Sequence, residues 1–125
     1  MRDENVILEL CNVVRETAYA LHGYLRHGHL EKVYEVGLAN RLRKLGHTVE
    51  QQKPLQVRDE DGTVLGDYFA DLYVDDCLIV ELKACKAIAE EHVAQVLGYL
   101  RASGRRDALL INFGAPVFEI RKFIM

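Results

Sequence analysis

Apolar residues recur along the start of the chain at intervals of three and four. Val6, Leu10, Val13, Val14, Thr17, Ala18 and Leu21 share one side of a 3.6-residue repeat, which predicts an amphipathic helix over 5–21. Gly23 and Gly28 punctuate residues 22–29 and predict a break there. A second helix is expected over 30–45, with Leu30, Val33, Tyr34, Leu38, Leu42 and Leu45 on its apolar side and Gly46 placed to stop it. From Thr48 the period shortens to two. Val49, Gln51 and Lys53, followed by Pro54 and Leu55-Gln56-Val57, predict a strand interrupted at an edge or bulge, because proline cannot donate to a ladder. Asp59-Glu60-Asp61-Gly62 predicts a turn, 63–74 a second strand and Asp75-Asp76 another turn. Residues 77–83 form a short, mostly apolar strand of the kind that lies centrally in a sheet. A helix over 87–102 ends at Ser103-Gly104, a buried strand over 108–113 follows, and 117–124 is the last strand. The order ααβββαββ predicts a compact α/β (or α+β) fold, with 1–125 as a single domain free of repeats and linkers.

Packing accounts for most apolar positions but not for a few polar ones in the most buried segments. Asp71 interrupts the second strand, and Glu81 and Lys83 interrupt the third directly after Leu78-Ile79-Val80. Glu81 and Lys83 are two apart and so project from one face. If the connection is three residues, 75–77, then Val74 pairs with Leu78 and Asp71 lies opposite Glu81 on that face, with Cβ atoms about 5 Å apart. A two-residue connection would oppose Asp71 to Val80 and dissolve the constellation. Two carboxylates so close repel unless a cation lies between them. Oxygen ligands suit a hard divalent ion, which polarises a phosphate and acidifies a bound water. Lys83 could then position that water or stabilise developing charge. The plain alternative is a carboxylate–lysine pair across a solvated sheet face.

Other residues add to this set. Gln95 and Tyr99, four apart on the third helix, point roughly 100–140° away from the stripe Val93, Val96, Leu97 and Leu100. His92 shares their side. Glu31 begins the second helix on the flank of its apolar face, half buried, and Tyr34 falls within that face as a core tyrosine.

Gly28-His29-Leu30-Glu31-Lys32-Val33-Tyr34 resembles the signature of the GxxExxY family. Tyr68-Phe69-Ala70-Asp71, Glu81-Leu82-Lys83 and Gln95-x-x-x-Tyr99 follow in that family's order and spacing, from about Val13 to Phe113. The family is placed in the PD-(D/E)XK nuclease superfamily, and the QxxxY element is similar to that of its RecB-type branch. The resemblance implies a restriction-endonuclease-like core, a central mixed sheet flanked by helices. It implies Mg²⁺ or Mn²⁺ held by Asp71, Glu81 and the Leu82 carbonyl, with Glu31 as a further acidic ligand or water-orienting group. Lys83 would assist the water nucleophile, and Gln95 and Tyr99 would brace the site or touch DNA. Ala70 stands where many relatives carry proline. The expected activity is metal-dependent hydrolysis of phosphodiester bonds in DNA, with RNA the less favoured substrate. The alternative is a catalytically silent module of the same fold that binds DNA or a protein.

Composition changes this picture little. The formal charge of −3 is unlike that of a domain coating nucleic acid nonspecifically. Several acids, namely Glu31, Asp71, Glu81 and also Asp67, are nevertheless candidates for a metal site, where a bound cation would cancel the deficit. Arg41, Arg43, Lys44 and His47 cluster at the end of the second helix, Arg101, Arg105 and Arg106 at the end of the third, and Arg121 and Lys122 near the C-terminus. Each can complement a helix dipole, and together they could contact phosphates. Three cysteines, Cys11, Cys77 and Cys85, without a CxxC pair disfavour a disulfide framework and fit a cytoplasmic protein. His22, His27 and His29 share a predicted loop but lack the usual zinc-ligand spacing. No apolar run approaches the ~20 residues that span a bilayer, and Met1-Arg2-Asp3-Glu4-Asn5 does not open a signal peptide. Little chain remains for choosing a substrate, so a partner protein or a homodimer formed through the last strand could supply specificity.

Overall fold

The computed structural model describes residues 3–125, which leaves Met1 and Arg2 of the segment read for a leader outside the described residues. Helix α1 spans Glu4–Leu25, and its first turn is capped by the Asp3 carboxylate, which accepts from the Asn5 and Val6 N–H groups. It runs four residues past its expected end. His22, placed in a loop by the sequence reading, is a buried helical residue whose Nε2 lies 2.8 Å from the Ala115 carbonyl. That anchor offsets the cost of Gly23 inside the helix, about 1 kcal/mol. The helix stops at Arg26, at φ 62, whose N–H returns to the His22 carbonyl.

Helix α2 spans Glu31–Lys44, and Gly46, at φ 95, ends it as expected by donating its N–H to the Arg43 carbonyl. Its buried side differs from the predicted one. Tyr34, Glu35, Leu38, Ala39 and Leu42 face inward, whereas Leu30, Val33 and Leu45 are exposed. The helix turns so that Tyr34 stacks on Phe113, with ring centroids 4.6 Å apart, and that rotation carries Glu35 inside.

Five strands follow the expected order: β1 Val49–Arg58, β2 Val64–Val74, β3 Leu78–Lys83, β4 Asp107–Asn112 and β5 Glu119–Ile124. They lie side by side in that order in one sheet, antiparallel except for β3 and β4. The parallel step uses α3, Glu90–Ser103, as its crossover. This helix begins three residues later than predicted, where the Ala89 N–H is bonded to His92 Nδ1. Pro54 sits on edge strand β1, and β3 occupies the centre.

Alternate residues of the central strands feed two cores. Leu72, Val74, Leu78, Val80, Leu82, Leu109 and Ile111 pack under α1 and α2. Tyr73, Ile79, Ala108 and Leu110 pack under Val96, Tyr99 and Leu100 of α3. Strand β2 is divided along its length, exposed from Val64 to Phe69 and buried from Ala70 onward.

Candidate active site

The β2–β3 connection has the length that the functional reading needs. Val74 pairs with Leu78, Tyr73 with Ile79 and Leu72 with Val80, and regular pairing stops there. One step further, Asp71 faces Glu81, and the backbone donors of this step go to carboxylates. The Asp71 N–H donates to Glu81 Oε1 at 3.2 Å, and the Leu82 N–H donates to Asp71 Oδ2 at 2.8 Å. Both acids are buried, Asp71 at 9% exposure and Glu81 at 3%. Burial first, and the Asp71 carboxylate second, push the Glu81 carboxyl up to about 9. At neutral pH the pair therefore holds a proton. Lys83 Nζ stands 3.9 Å from Glu81 Oε2, partly sheltered on the same side of the strand.

Helix α3 covers this pair. Tyr99 is buried, so its ring belongs to the core, contrary to the expectation that it points away from the apolar stripe. Its hydroxyl reaches Glu81, and burial together with the Glu81 charge pushes it well above the usual phenol range. Gln95 is exposed and hydrogen-bonds that hydroxyl. His92 is spent on the Ala89 N–H rather than on the carboxylates.

Glu31 departs from its expected half-buried position. The residue as a whole is exposed, but its carboxyl end is partly buried, directed to the backbone of Ala84 and raised first by that burial and then by Asp71. The buried acid of α2 is Glu35, which the sequence reading passed over. Burial raises its carboxyl, but hydrogen bonds from Lys32, Gln51 and Gln52 outweigh that and hold it below its ordinary value. Gln52 joins Glu35 to the pair, since its Nε2 lies 2.6 Å from Glu35 Oε1 and 3.1 Å from Asp71 Oδ1. Gln52 also holds φ 53, left-handed backbone for a non-glycine residue, between the in-register neighbours Gln51 and Lys53. The one hint of this in the sequence is that alternation falters around Pro54.

The segment after Lys83 is fixed from β4. Asn112, fully buried, accepts the Cys85 and Gly114 N–H groups on Oδ1 and donates Nδ2 to the Cys85 carbonyl and to Glu119. Gly114 passes so close that a Cβ there would lie 2.2 Å from the Cys85 nitrogen and 2.4 Å from the Ala84 carbonyl carbon.

Several candidates lie elsewhere. Asp67 is on the exposed half of β2, opposite Gln56. Arg43 clamps the Val49 carbonyl and Gln51, His47 Nδ1 lies 2.7 Å from Asp75 Oδ2, and Arg106 bonds the Met125 carbonyl, so these side chains brace the fold. Tyr34 is the core tyrosine expected, its hydroxyl donating to the Arg26 carbonyl. Among the described residues, no three His, Cys, Asp or Glu side chains are gathered to hold a metal ion, so Glu31 does not complete a ligand trio with Asp71 and Glu81. No helix among them is long and apolar enough to cross a membrane.

The chain is similar in fold to the crystal structure of SSO0001, with a TM-score of 0.60 at 15% sequence identity. The match covers 74% of this chain and 48% of that one, so this chain spans about half the length of the solved protein. A search of curated proteins returns no match. The family profile of the PD-(D/E)XK nuclease superfamily matches residues 8–123, a span that holds the helix acid, both strand acids, the lysine and the Gln95–Tyr99 element. With the mixed sheet and the Asp71–Glu81–Lys83 cluster at the end of the central hairpin, that match places the chain in the PD-(D/E)XK nuclease superfamily.

Proposed function

We propose that residues 1–125 form a single nuclease-like domain of the GxxExxY family, with a RecB-type QxxxY element, that hydrolyses DNA phosphodiester bonds with Mg²⁺ or Mn²⁺. The observation that carries this reading is the buried Asp71–Glu81 pair. Two carboxylates sealed at the end of a ladder are costly as anions, and a shared proton or a shared cation relieves that cost. The donor set would suit a hard divalent ion, with carboxylate oxygens from Asp71 and Glu81, a neutral oxygen from the Leu82 carbonyl, and Glu31 as the further acid. A cation bound there lowers the pKa of a coordinated water and offsets charge on a phosphate.

The chain's own residues have separable tasks. Lys83 holds an ammonium beside Glu81, where it can orient the attacking water and stabilise charge growing on the phosphoryl oxygens. Tyr99 and Gln95 fix the outer side of Glu81. Gln52 fixes Asp71 Oδ1 from the opposite side and ties it to the buried Glu35. RNA is the less favoured substrate.

The alternative, a silent DNA-binding or protein-binding module of the same fold, draws on the lack of a gathered ligand trio among the described residues. Incubation of the protein with single-stranded, double-stranded and branched DNA in Mg²⁺, Mn²⁺ or EDTA separates the two. Metal-dependent cleavage lost in Asp71→Ala and Lys83→Ala is the expected result. Cleavage that survives both substitutions overturns the mechanism.

A further inference from the structure

A groove of about 700 Å³ opens on the α3 side of the sheet, between the outer β1–β2 hairpin and the C-terminal half of α3. Lys53, Arg58, Arg101 and Arg105 line it, against a single lining acid, Asp76. In a chain of net charge −3, this is a concentration of cations. Lys53 Nζ and the Arg105 guanidinium each lie 5.5 Å from the centre of the Tyr73 ring. With both cations gathered at one ring on the groove wall, an anion entering the groove meets more than one positive charge. Their present partners are weak. Lys53 meets Glu50 at 3.2 Å on a solvated strand face, and Arg105 meets Asp76 at 3.9 Å, where the Asp76 side chain is 81% exposed. Arg58 is held by the Gly62 carbonyl and by Gln56 and keeps its charge free of any acid among these contacts.

The groove also has an aromatic wall that leads to the carboxylates. Tyr68 lines it with 44% of its surface exposed, and its ring lies 5.4 Å from the ring of Tyr99, whose hydroxyl reaches Glu81. The Tyr68 ring lies directly over Gly98 of α3, its edge 3.6 Å from where a Cβ there would sit, an ordinary packing distance. Cations that follow a sugar–phosphate backbone beside an exposed aromatic face form a platform for unpaired bases, because a duplex has no free base face to stack.

Resting on the nuclease reading of the site, we propose that this groove binds a single nucleic-acid strand running to or from the Asp71–Glu81 pair, with Lys53, Arg58, Arg101 and Arg105 on its phosphates and Tyr68 stacked on a base. The interaction reads backbone charge and unpaired bases, not sequence.

The test is fluorescence anisotropy with a labelled oligothymidylate and with a hairpin duplex of the same sequence length, in EDTA so that nothing is cleaved. The single strand is expected to bind more tightly, with affinity falling at least 10-fold in Arg101→Glu/Arg105→Glu. The slope of log affinity against log salt should also drop by about one per phosphate contact removed. Tyr68→Ala should lose roughly 5-fold or more, the scale of one stacked base. Arg15→Glu on α1, outside the groove, changes the net charge by the same step as one groove reversal without lowering affinity. Arg101→Gln, with circular dichroism of every variant, guards against misfolding of the double reversal. Unchanged binding in the folded groove variants, an equal loss in Arg15→Glu, or preference for the duplex overturns the proposal. Strand binding is read in EDTA and cleavage in Mg²⁺ or Mn²⁺, so the two readouts are independent. Loss of the nuclease reading would therefore appear as binding without cleavage in the wild-type chain, and loss of the groove as cleavage indifferent to Arg101 and Arg105.

Discussion

The two faces of the sheet are built from the same strands and do opposite work. On β3, Leu78, Val80 and Leu82 turn to α1 and α2 and meet Val14, Leu38 and Leu42 in a dry core. Their neighbours Ile79, Glu81 and Lys83 turn the other way, toward α3, and only the first of them is apolar. Each apolar side chain sealed under α1 and α2 is worth about 1.5–3 kcal/mol, whereas a carboxylate sealed under α3 costs energy unless it is protonated or paired. One face stabilises the strand, and that surplus lets the other hold two acids facing each other across a single rung. A central strand can carry a reactive pair because alternation separates the chemistry from the packing by a single residue.

Substitutions that hit one face and spare the other test this division. The largest effect is expected from Asp71→Ala or Lys83→Ala, which should lower cleavage by about 10³-fold or more while leaving the melting temperature within a few degrees, read by a gel assay beside thermal denaturation. Leu38→Ala, under α1 and α2, should do the reverse. It loses about 3 kcal/mol in urea denaturation and leaves the cleavage rate per folded molecule unchanged.

The acid pair also gives the metal-free protein a pH signature. The Glu81 carboxyl titrates near 9 when folded and near its ordinary 4.5 when unfolded, so its contribution is fully present below about 4.5 and is lost as pH rises through 9. In EDTA, Glu81→Gln should remove about 4 kcal/mol of this decline between pH 5 and 8, measured as the difference between the two proteins' urea midpoints across that range. A decline of equal size in the variant would remove Glu81 as its source. The smallest contrast lies in the backbone. Gln52→Gly and Gln52→Ala delete the same bridge to Asp71 and Glu35, but glycine relieves the positive φ, so the glycine variant should be the more stable by about 1 kcal/mol.

Much of this arrangement was legible before any coordinates. The sequence left a three-residue connection, which sets Asp71 against Glu81, open beside a two-residue one, and the pairing of Val74 with Leu78 decides for the first. The central place of β3 is visible in its run of apolar residues, and the edge place of β1 in Pro54. The inward side of α2 was not legible. Leu30 and Val33 are apolar yet exposed, while Glu35 is charged yet buried, and that choice depends on Tyr34 finding Phe113, far along the chain. The Glu35–Gln52–Asp71 chain needs a left-handed residue inside a strand together with contacts between three elements. No periodicity encodes such a combination. Tyr99 was misplaced for a related reason: helical angles locate a residue on its own cylinder, but a long aromatic side chain can lie in the core and deliver a polar tip to the site.

Gly114 bears no chemistry, yet it limits how much error the chemistry can tolerate. Any side chain there would strike the backbone at Ala84 and Cys85 and push the segment carrying Lys83 off the Asn112 clasp. A descendant of this chain could keep every acid, the lysine and the glutamine and still fall silent through one added methyl group on the neighbouring strand's exit. Inventories of catalytic letters would score that descendant as intact. In sorting active members of such a lineage from retired ones, the glycine deserves to be read beside the acids.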